Sequence, residues 1–403
     1  LREYDTIIDG SRSGWNGTEF RLETTAFLEL VALLEQNENL KDIATFTRVR
    51  GKNAVKFKQW VGLIRLPCGV TLEILPKTHQ FGDSPESSRA LLVRMLTRTD
   101  QRFRVAPPAD LDPAQMPLLE IFLQFALAGF QKALRRGIPH TYVRVEEVRS
   151  NLRGRLQIKH QMRQPVHRKH LLHVAYDEYL ANRPENRLVR SSLEGIVKLT
   201  QNANTKRIAR QTLGLLEDVP VSINIKADFS SWRLERGYSH FAGLERLCQL
   251  VLFELNPLIG GENAQGISLL FDMNRLFEAY VAQLLKDQHP DWLIRTQATE
   301  LSLGDIGGQR VFKLKPDLLI TLPSGEVIVA DTKWKRLKSE ASGYYGVSQA
   351  DVYQMLAYRL TYQAKQSHSR LWLLYPSVPD IPPQLNPIAL PQNTTLEICQ
   401  LVL

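Results

Sequence analysis

The sequence predicts an α+β protein built from more than one domain, and three features of its pattern support that class. The chain has 403 residues, 43% hydrophobic and 23% charged, which is enough for two or three domains with cores of their own. Short strand-like runs dominate the N-terminal part, whereas apolar residues at helical spacing dominate the middle. The C-terminal part returns to a mixed order of helix, strand, strand, strand, helix and strand.

Two segments interrupt this pattern and divide the chain into three predicted domains. "VAPPADLDPAQMP" (Val105 to Pro117) is rich in proline, which removes backbone donors and disfavours helix. "NPLIGGENAQG" (Asn256 to Gly266) is the second interruption. The predicted domains are a β-rich module at 1–110, a mainly helical region with a short β segment at 111–260, and an α/β domain at 261–403.

The elements of the first two domains follow from local spacing. In the β-rich module we expect strands at Trp60 to Arg65 and Val70 to Leu75, separated by "LPCG", and a helix near Thr25 to Glu35. The β segment of the middle region lies around "HTYVRVEEVRSNLRGRLQI". The helices expected in the middle region are Leu118 to Leu134, Asn186 to Asn202, Lys206 to Leu215 and Tyr238 to Leu255.

The C-terminal domain contains the most informative order of elements. "FDMNRLFEAYVAQLLKD" has the 3–4 spacing of a helix with one buried face, and "VSQADVYQMLAYRLTYQAK" is a second such helix. Between them lie a strand around Trp292 to Ala298 and the hairpin "KPDLLITLPSGEVIVADTKWK", from Lys315 to Lys335. "RLWLLYP" (Arg370 to Pro376) is the last predicted strand.

Charge and cysteine usage narrow the function classes. The chain has 51 Lys and Arg against 42 Asp and Glu, a formal charge of +9, and the excess is spread along it. This balance favours a polyanionic partner such as nucleic acid, although housekeeping enzymes are sometimes this basic. Cys68, Cys248 and Cys399 lie far apart without a CxxC pair, which argues against a zinc ribbon, an iron–sulfur cluster or a disulfide framework and fits a reducing cytoplasm.

The long apolar stretch from Leu118 to Leu134 is interrupted by Glu120, Gln124 and Gln131 at helical spacing. It is therefore predicted to be an amphipathic helix and not a membrane span.

The hairpin "KPDLLITLPSGEVIVADTKWK" is predicted to bring two carboxylates together. "PSG" suits a three-residue turn, and pairing of Leu322 with Glu326 would place Asp317 opposite Asp331. Because side chains alternate along a strand, Lys333 shares the face of Asp331. Facing carboxylates repel each other, but together they suit a hard divalent cation that takes oxygen ligands.

This constellation favours metal-assisted phosphodiester hydrolysis over a merely structural ion pair. A surface hairpin with an Asp–Lys pair is the alternative, but Asp317 and Asp331 interrupt runs apolar enough for a sheet interior, where an unpaired charge is costly. We expect Mg²⁺, with Mn²⁺ as a second possibility, held by these two aspartates and the carbonyl of Thr332. Lys333 would act on the attacking water or hold the scissile phosphate.

Further residues are expected to support this site. Glu278, on the preceding helix, is a candidate third acid for the metal, the alternative being an exposed helical glutamate. Gln354 and Tyr358, four apart on one helix face, are candidates for supporting the site or contacting DNA, although such pairs are common on helices. The basic residues after the hairpin are candidate phosphate contacts, or simply a solvated loop: Lys335, Arg336 and Lys338.

The motif and the element order resemble the PD-(D/E)xK nucleases, and "Q-x-x-x-Y" looks like an element of their RecB-like branch. "FDMNRLFEAYV", "VIVADTKWK" and "DVYQMLAY" are together similar to the McrC subunit of McrBC modification-dependent restriction systems. Upstream, "LRGRL", "ANRPENRLVRSSL" and "VGLIRLPCGVTLEILPK" are also similar to patterns of that family. The likeness spans nearly the whole chain.

The resemblance implies a restriction-endonuclease-like core in the C-terminal domain and a β-rich N-terminal module that docks on a partner. That partner is a McrB-like AAA+ GTPase ring, which recognises modified cytosine in double-stranded DNA, translocates the DNA, and is stimulated by this subunit. Asp317, Asp331 and Lys333 match the catalytic triplet, and Glu278 matches the helix acid. No motif identifies the stimulating residues, but the basic candidates for that surface are Arg50, Arg65 and Lys77.

The remaining patterns limit what the chain does alone. The sequence contains no GxxxxGK[ST] loop, so we expect no nucleotide bound through a P-loop and a requirement for a motor partner. Four histidines after "LRGRL" are interpreted as a basic surface, with a metal site as the alternative: His160, His167, His170 and His173. The alternatives for function are a non-catalytic DNA-binding adaptor that organises the GTPase ring, or a freestanding RecB-like repair nuclease. The expected compartment is a prokaryotic cytoplasm.

Overall fold

The structure is a computed structural model of the 403-residue chain. It describes residues 1–16, 19–37, 40–77, 84–104, 115–255, 267–298, 302–307, 309–338, 344–363, 369–378, 381–382, 385–391 and 394–403. The described residues of Leu1–Arg104 and Gln265–Leu403 belong to one compact unit, and those of Leu119–Ala264 belong to a second. Most of the first predicted joint (105–114) and all of the second (256–266) lie outside the described residues, so the predicted domain limits stay predictions.

The N-terminal segment is rich in β-structure, as its sequence predicts. Its elements are β1 (Thr6–Gly10), β2 (Gly14–Asn16), β3 (Glu19–Glu23), α1 (Thr24–Gln36), β4 (Ala44–Val49), β5 (Lys52–Phe57), β6 (Trp60–Arg65), β7 (Thr71–Ile74) and α2 (Pro85–Thr99). Five strands form a sheet in the order β2-β3-β1-β5-β4. Helix α1 buries Phe27 and Leu30 in a cluster with Ile7 and Phe57 of that sheet. The expected helix near Thr25 and the strands on either side of "LPCG" are confirmed.

The second unit is mainly helical, with one small sheet. Its elements are α3 (Leu118–Leu134), β8 (Thr141–Arg149), β9 (Arg155–Leu156), α4 (Ile158–Met162), β10 (Leu172–Leu180), α5 (Pro184–Leu199), α6 (Ala203–Leu213), α7 (Ile225–Ser230) and α8 (Leu244–Gln249). The predicted β segment pairs with β10, which the sequence pattern missed, in the antiparallel order β8-β10-β9. In the described residues, no helix of either unit has the length and apolarity needed to cross a membrane.

The single helix expected from Tyr238 to Leu255 is wrong. A 3₁₀ turn at Arg236–Phe241 precedes α8, and a π-helical turn follows at Leu250–Glu254. Tyr238 itself has non-helical backbone angles, φ −117° and ψ 33°. Gly243 stands directly before α8, and glycine costs about 1 kcal/mol relative to alanine inside a helix, so the apolar spacing alone overestimated its length.

The C-terminal segment contains the predicted order together with additional strands. Its elements are β11 (Ile267–Asp272), α9 (Met273–Gln288), β12 (Leu293–Thr296), β13 (Ser302–Ile306), β14 (Gln309–Lys313), β15 (Leu318–Thr321), β16 (Val327–Thr332), α10 (Gln349–Gln363), β17 (Ser369–Pro376), β18 (Ile388–Leu390) and β19 (Thr394–Leu401). The main sheet has the order β12-β15-β16-β17-β19-β18. Helix α10 lies between β16 and β17 in the chain, and these two strands run parallel, as a helical crossover requires.

Strand β11 pairs antiparallel with β6, so the N-terminal and C-terminal segments share a sheet. Gly62, on β6, has φ +135°, and a Cβ atom there would lie 2.0 Å from the carbonyl oxygen of Leu269 on β11. Only glycine permits this approach. The backbone N–H of Met273 donates to the carbonyl of Gln59 (2.8 Å), so the N-terminal segment fixes the point at which α9 begins.

The hairpin of β15 and β16 has the predicted register. The N–H of Leu322 donates to the carbonyl of Glu326 (2.9 Å), and Gly325 takes the left-handed conformation at φ +84°. Leu318 lies opposite Ala330, which places Asp317 and Asp331 at the next pair of positions along the hairpin. The turn chemistry of "PSG" therefore sets the alignment of the two acids.

Candidate active site

Two carboxylates meet where the β15–β16 hairpin opens. Asp331 is the penultimate residue of β16 and is only 1% exposed, whereas Asp317 directly precedes β15 and is half-buried. Asp317 Oδ2 accepts hydrogen bonds from the backbone N–H and the hydroxyl of Thr332, both at 2.8 Å. The carbonyl of Thr332 as a metal ligand stays a prediction. The two donations from Thr332 hold the Asp317 carboxylate at the end of β16.

The pKa of Asp331 is shifted by its burial and by the neighbouring charges. Burial and then the charge of Asp317 raise the pKa of Asp331, and with the opposing effect of Lys333 included the pKa is about 6. In a carboxyl group with such a pKa, the negative charge present near neutral pH raises the free energy of the folded state. A cation between the two carboxylates would lower that free energy.

Lys333 lies on the same face as Asp331 and neutralises part of this charge. Its Nζ atom is 2.7 Å from Asp331 Oδ2 and 3.5 Å from Asp351 Oδ1, and it donates to Gln354 Oε1 at 3.0 Å. Burial lowers the pKa of Lys333, but the attraction of Asp331 and Asp351 outweighs it and the net pKa is raised. Lys333 therefore carries its proton at neutral pH, which favours an electrostatic and positioning role over proton abstraction.

Helix α10 contributes the predicted glutamine and tyrosine to this cluster. Gln354 Nε2 donates to Asp331 Oδ1 (3.1 Å) and to the hydroxyl of Tyr358 (2.7 Å). That hydroxyl in turn donates to the carbonyl of Lys315 (3.0 Å). Tyr358 is buried in the cluster that packs α10 on the sheet. Gln354 thus orients both the acid and the ammonium, although the predicted DNA contact of this pair stays a prediction.

Asp351, also on α10, was not singled out by sequence reasoning. It is buried, lies 3.5 Å from Lys333 Nζ, and forms an ion pair with Lys335 at 3.0 Å. Its backbone N–H donates to the hydroxyl oxygen of Ser348 (3.2 Å). The available sequence signal was therefore an S-x-x-D helix start, which has a structural explanation of its own. Asp351 is three residues before Gln354, on the same helix face.

Glu278 lies near the two aspartates but is held by another residue. The side-chain amide of Gln297 donates to Glu278 Oε1, and the backbone N–H of Gln297 donates to the carbonyl of Asp317 (3.0 Å). Burial raises the pKa of Glu278, and the charge of Asp317 adds to the effect. Gln297 has a left-handed backbone, φ +52°, which costs a non-glycine residue about 1–3 kcal/mol. Gln297 therefore bridges the helix acid to the hairpin at a strained position that no sequence pattern marked.

Substitution of Gln297 separates the effect of its side-chain amide from the effect of its left-handed backbone. Gln297→Ala removes the amide but keeps the strained backbone, so we expect the free energy of unfolding to fall by about 1 kcal/mol. Gln297→Gly removes the same amide and relieves the left-handed strain, so its stability should exceed that of the alanine variant by about 1 kcal/mol. Urea unfolding of both variants measures this order, and an alanine variant at least as stable as the glycine variant would contradict it.

The other predicted residues lie outside this cluster. Lys335 is half exposed and bound to Asp351, whereas Arg336 and Lys338 are exposed on the segment after β16. Among the docking candidates, Arg50 is exposed in the turn between β4 and β5, Arg65 ends β6, and Lys77 lies 5.3 Å above the ring of Tyr4. Three of the four histidines are exposed and His173 is half-buried.

The donor set fits a hard cation that keeps part of its water shell. Asp331 Oδ2 is bonded to the Lys333 ammonium at 2.7 Å and has no further donor among the described residues, which leaves a lone pair for a cation or a water. Within the same residues, no three His, Cys, Asp or Glu side chains are arranged to hold a metal ion. Two carboxylates with water or a backbone carbonyl are the kind of partial ligand set that Mg²⁺ accepts.

Comparison with known proteins identifies the family of the chain. The family model for the McrBC 5-methylcytosine restriction system component matches residues 55–376. The chain is similar to a protein in the refined half-complex of Thermococcus gammatolerans McrB AAA+ hexamers with bound McrC, with TM-score 0.72, 17% identity and coverage of 100% of this chain and 94% of that chain. It is also similar to a chain of the Thermococcus gammatolerans McrBC complex, with TM-score 0.51, 20% identity and coverage of 71% and 86%.

No curated protein matches the chain. At these identities the two solved structures show a shared fold, whereas the family model spans most of the sequence. The chain therefore belongs to the family of McrBC 5-methylcytosine restriction system components.

Proposed function

We propose that this chain is the Mg²⁺-dependent DNA endonuclease subunit of a McrBC-like restriction complex. It cleaves methylated DNA when assembled with an AAA+ GTPase whose hydrolysis it stimulates. The observation that carries the proposal is the meeting of Asp317 and Asp331 across the hairpin, with the Lys333 ammonium 2.7 Å from Asp331.

Asp317 and Asp331 are the residues that would hold the metal. When bound, Mg²⁺ supplies a Lewis acid for the scissile phosphate and a lower pKa for water. Lys333 supplies a fixed positive charge for the phosphate or the attacking water. Gln354 holds Lys333 and Asp331 in their relative positions, and Thr332 holds Asp317.

Assembly with an AAA+ partner is supported by the family and by the absence of a P-loop in the sequence. The similar McrC is bound to McrB AAA+ hexamers in its own structure. A formal charge of +9 suits a DNA substrate. Recognition of the modified cytosine belongs, in this proposal, to the partner.

The test combines this protein with the AAA+ protein encoded beside it, GTP, and methylated or unmethylated plasmid. We expect cleavage of the methylated plasmid only when Mg²⁺, GTP and both proteins are present, and its loss with a chelator. GTPase stimulation without any metal-dependent cleavage would instead indicate a non-catalytic adaptor. Cleavage by this chain alone, without GTP, would indicate a freestanding repair nuclease.

A further inference from the structure

Tyr375 is a buried tyrosine on the strand beside the site. Asp331 of β16 pairs with Leu373 of β17, so Tyr375, two residues further on, lies beside Lys333 on the same face of the sheet. Its side chain is 1% exposed and belongs to the cluster that contains Leu373 and Tyr358 beneath α10. The ring is therefore fixed by packing.

The hydroxyl of Tyr375 is unsatisfied. Within the described residues it has no hydrogen-bond partner. A buried hydroxyl in this state costs about 1–3 kcal/mol, so its retention needs a reason. Burial raises the pKa of Tyr375, and the charges of Asp351 and Asp331 raise it further, which places both carboxylates near the hydroxyl and keeps the phenol protonated.

A complementary atom lies on the neighbouring strand. Asp331 Oδ2 is buried and bonded to the Lys333 ammonium at 2.7 Å, and its second lone pair has no further donor among the described residues. A donor and an acceptor thus occupy one face of adjacent strands without bonding to each other. Buried water typically makes about three hydrogen bonds to such otherwise unsatisfied groups.

We propose that Tyr375 is a positioning residue that holds a water molecule against Asp331 and Lys333. The hydroxyl donates to the water oxygen, and the water donates one O–H to Asp331 Oδ2. The second lone pair of the water oxygen is left for an electrophile beside Lys333. Tyr375 acts in this arrangement through the orientation of its hydroxyl.

The catalytic role of this water rests on the proposed nuclease function, since the water is in position to attack a phosphodiester. The presence of the water between Tyr375 and Asp331 does not depend on cleavage. A hydroxyl that is merely tolerated in the core would affect stability alone, whereas a hydroxyl that orients water would affect turnover without supporting the fold.

The test is Tyr375→Phe, which removes only the oxygen atom and preserves the packing. We expect kcat for plasmid cleavage to fall by about tenfold or more, with KM for DNA and the stimulated GTPase rate unchanged. The thermal midpoint should change little, because the ring packing is kept and the water-bonded hydroxyl contributes at most about 1 kcal/mol to the fold. Tyr280→Phe is the matched control, a buried tyrosine on α9, and it should cleave at the wild-type rate.

A high-resolution crystal structure of the metal-free protein supplies a readout independent of activity. We expect an ordered water within hydrogen-bond distance of both Tyr375 Oη and Asp331 Oδ2, and its loss in the phenylalanine variant. Absence of that water in the wild-type protein would overturn the inference, as would wild-type kcat in Tyr375→Phe. Cleavage by an Asp331→Asn variant assayed in parallel would instead overturn the nuclease proposal, leaving the water site to be judged by the crystal structure.

Discussion

Asp331→Asn is expected to abolish DNA cleavage while leaving the metal-free protein at least as stable as the wild type. The substitution removes a proposed metal ligand, so the cleavage rate should fall by about 1,000-fold or more. It also removes a buried negative charge that faces Asp317, and asparagine keeps the shape and an acceptor for Gln354. The Lys333 ammonium keeps Asp351 as its counter-ion at 3.5 Å, so this substitution leaves no unpaired buried charge. A gain in stability with a loss of activity is typical of a residue retained for function.

The raised pKa of Asp331 determines how the stability advantage of Asp331→Asn changes with pH. Because the pKa of Asp331 is about 6 in the fold and 3.8 ordinarily, ionisation above pH 6 destabilises the native state. The net cost is about 2–3 kcal/mol at pH 7, with the opposing effect of the Lys333 ion pair already included. This cost of ionisation disappears as the pH falls below 3.8, the ordinary pKa of an aspartate. The stability advantage of Asp331→Asn should therefore shrink from pH 7 toward pH 4.

Thermal or urea unfolding in the presence of a chelator, from pH 4 to pH 8, measures this trend. Asp291→Asn, at an exposed position before β12, is the control and should change neither stability nor cleavage. An Asp331→Asn protein that loses several kcal/mol at pH 7 would show that this carboxylate supports the fold and would weaken its assignment to a cation site.

Lys333→Met is expected to stop cleavage and to tighten cation binding at the same time. Methionine keeps most of the aliphatic stem but removes the ammonium that lies between Asp331 and Asp351. Cleavage should fall by about 100-fold or more, because the fixed charge near the phosphate is lost. Breaking a largely buried ion pair should lower the metal-free stability by about 3 kcal/mol.

The same substitution should raise the affinity for Mg²⁺ by about tenfold, since the ammonium no longer competes for the Asp331 carboxylate. Isothermal titration of the metal, and the rise of the thermal midpoint with added Mg²⁺, both measure this effect. Lys335→Met is the control for stability: it pairs with the same Asp351 but is 52% exposed, so it should change stability by less than about 1 kcal/mol. Weaker Mg²⁺ binding in Lys333→Met would mean that Lys333 supports the cation site instead of competing for it.

The alignment of the two acids was predictable because it depends on local chemistry. Pro323 and Gly325 select the turn, the turn selects the register, and the register sets Asp317 against Asp331. The position of Lys333 follows from strand alternation. These steps involve a few neighbouring residues and need no knowledge of the rest of the chain.

The residues that complete the site were not predictable in this way. From the sequence alone, Asp351 has the pattern of an ordinary helix start, and Tyr375 has the pattern of an ordinary apolar residue in a buried strand. Gln297 carries no motif, and only its left-handed backbone in the folded chain distinguishes it. Each reaches the site through packing between elements that are distant in sequence.

Contacts between elements that are distant in sequence also limited the prediction of the fold. Strand β11 follows an undescribed segment and pairs with β6, about 200 residues earlier in the chain, which no local pattern indicates. Strand β10 was missed although its partner β8 was expected, because its buried residues do not alternate regularly. Apolar spacing identified helices α9 and α10 well, since each buries one face. It also identified α3, although that helix is buried around most of its surface.

The most direct measurement is the anomalous diffraction of a crystal soaked in Mn²⁺. A cation site shared by the two aspartates predicts one metal peak bound by carboxylate oxygens of both Asp317 and Asp331, at about 2.0–2.3 Å, with the Lys333 ammonium displaced toward Asp351. A peak bound by only one of these aspartates, or no peak between them at a Mn²⁺ concentration that supports cleavage, would contradict it.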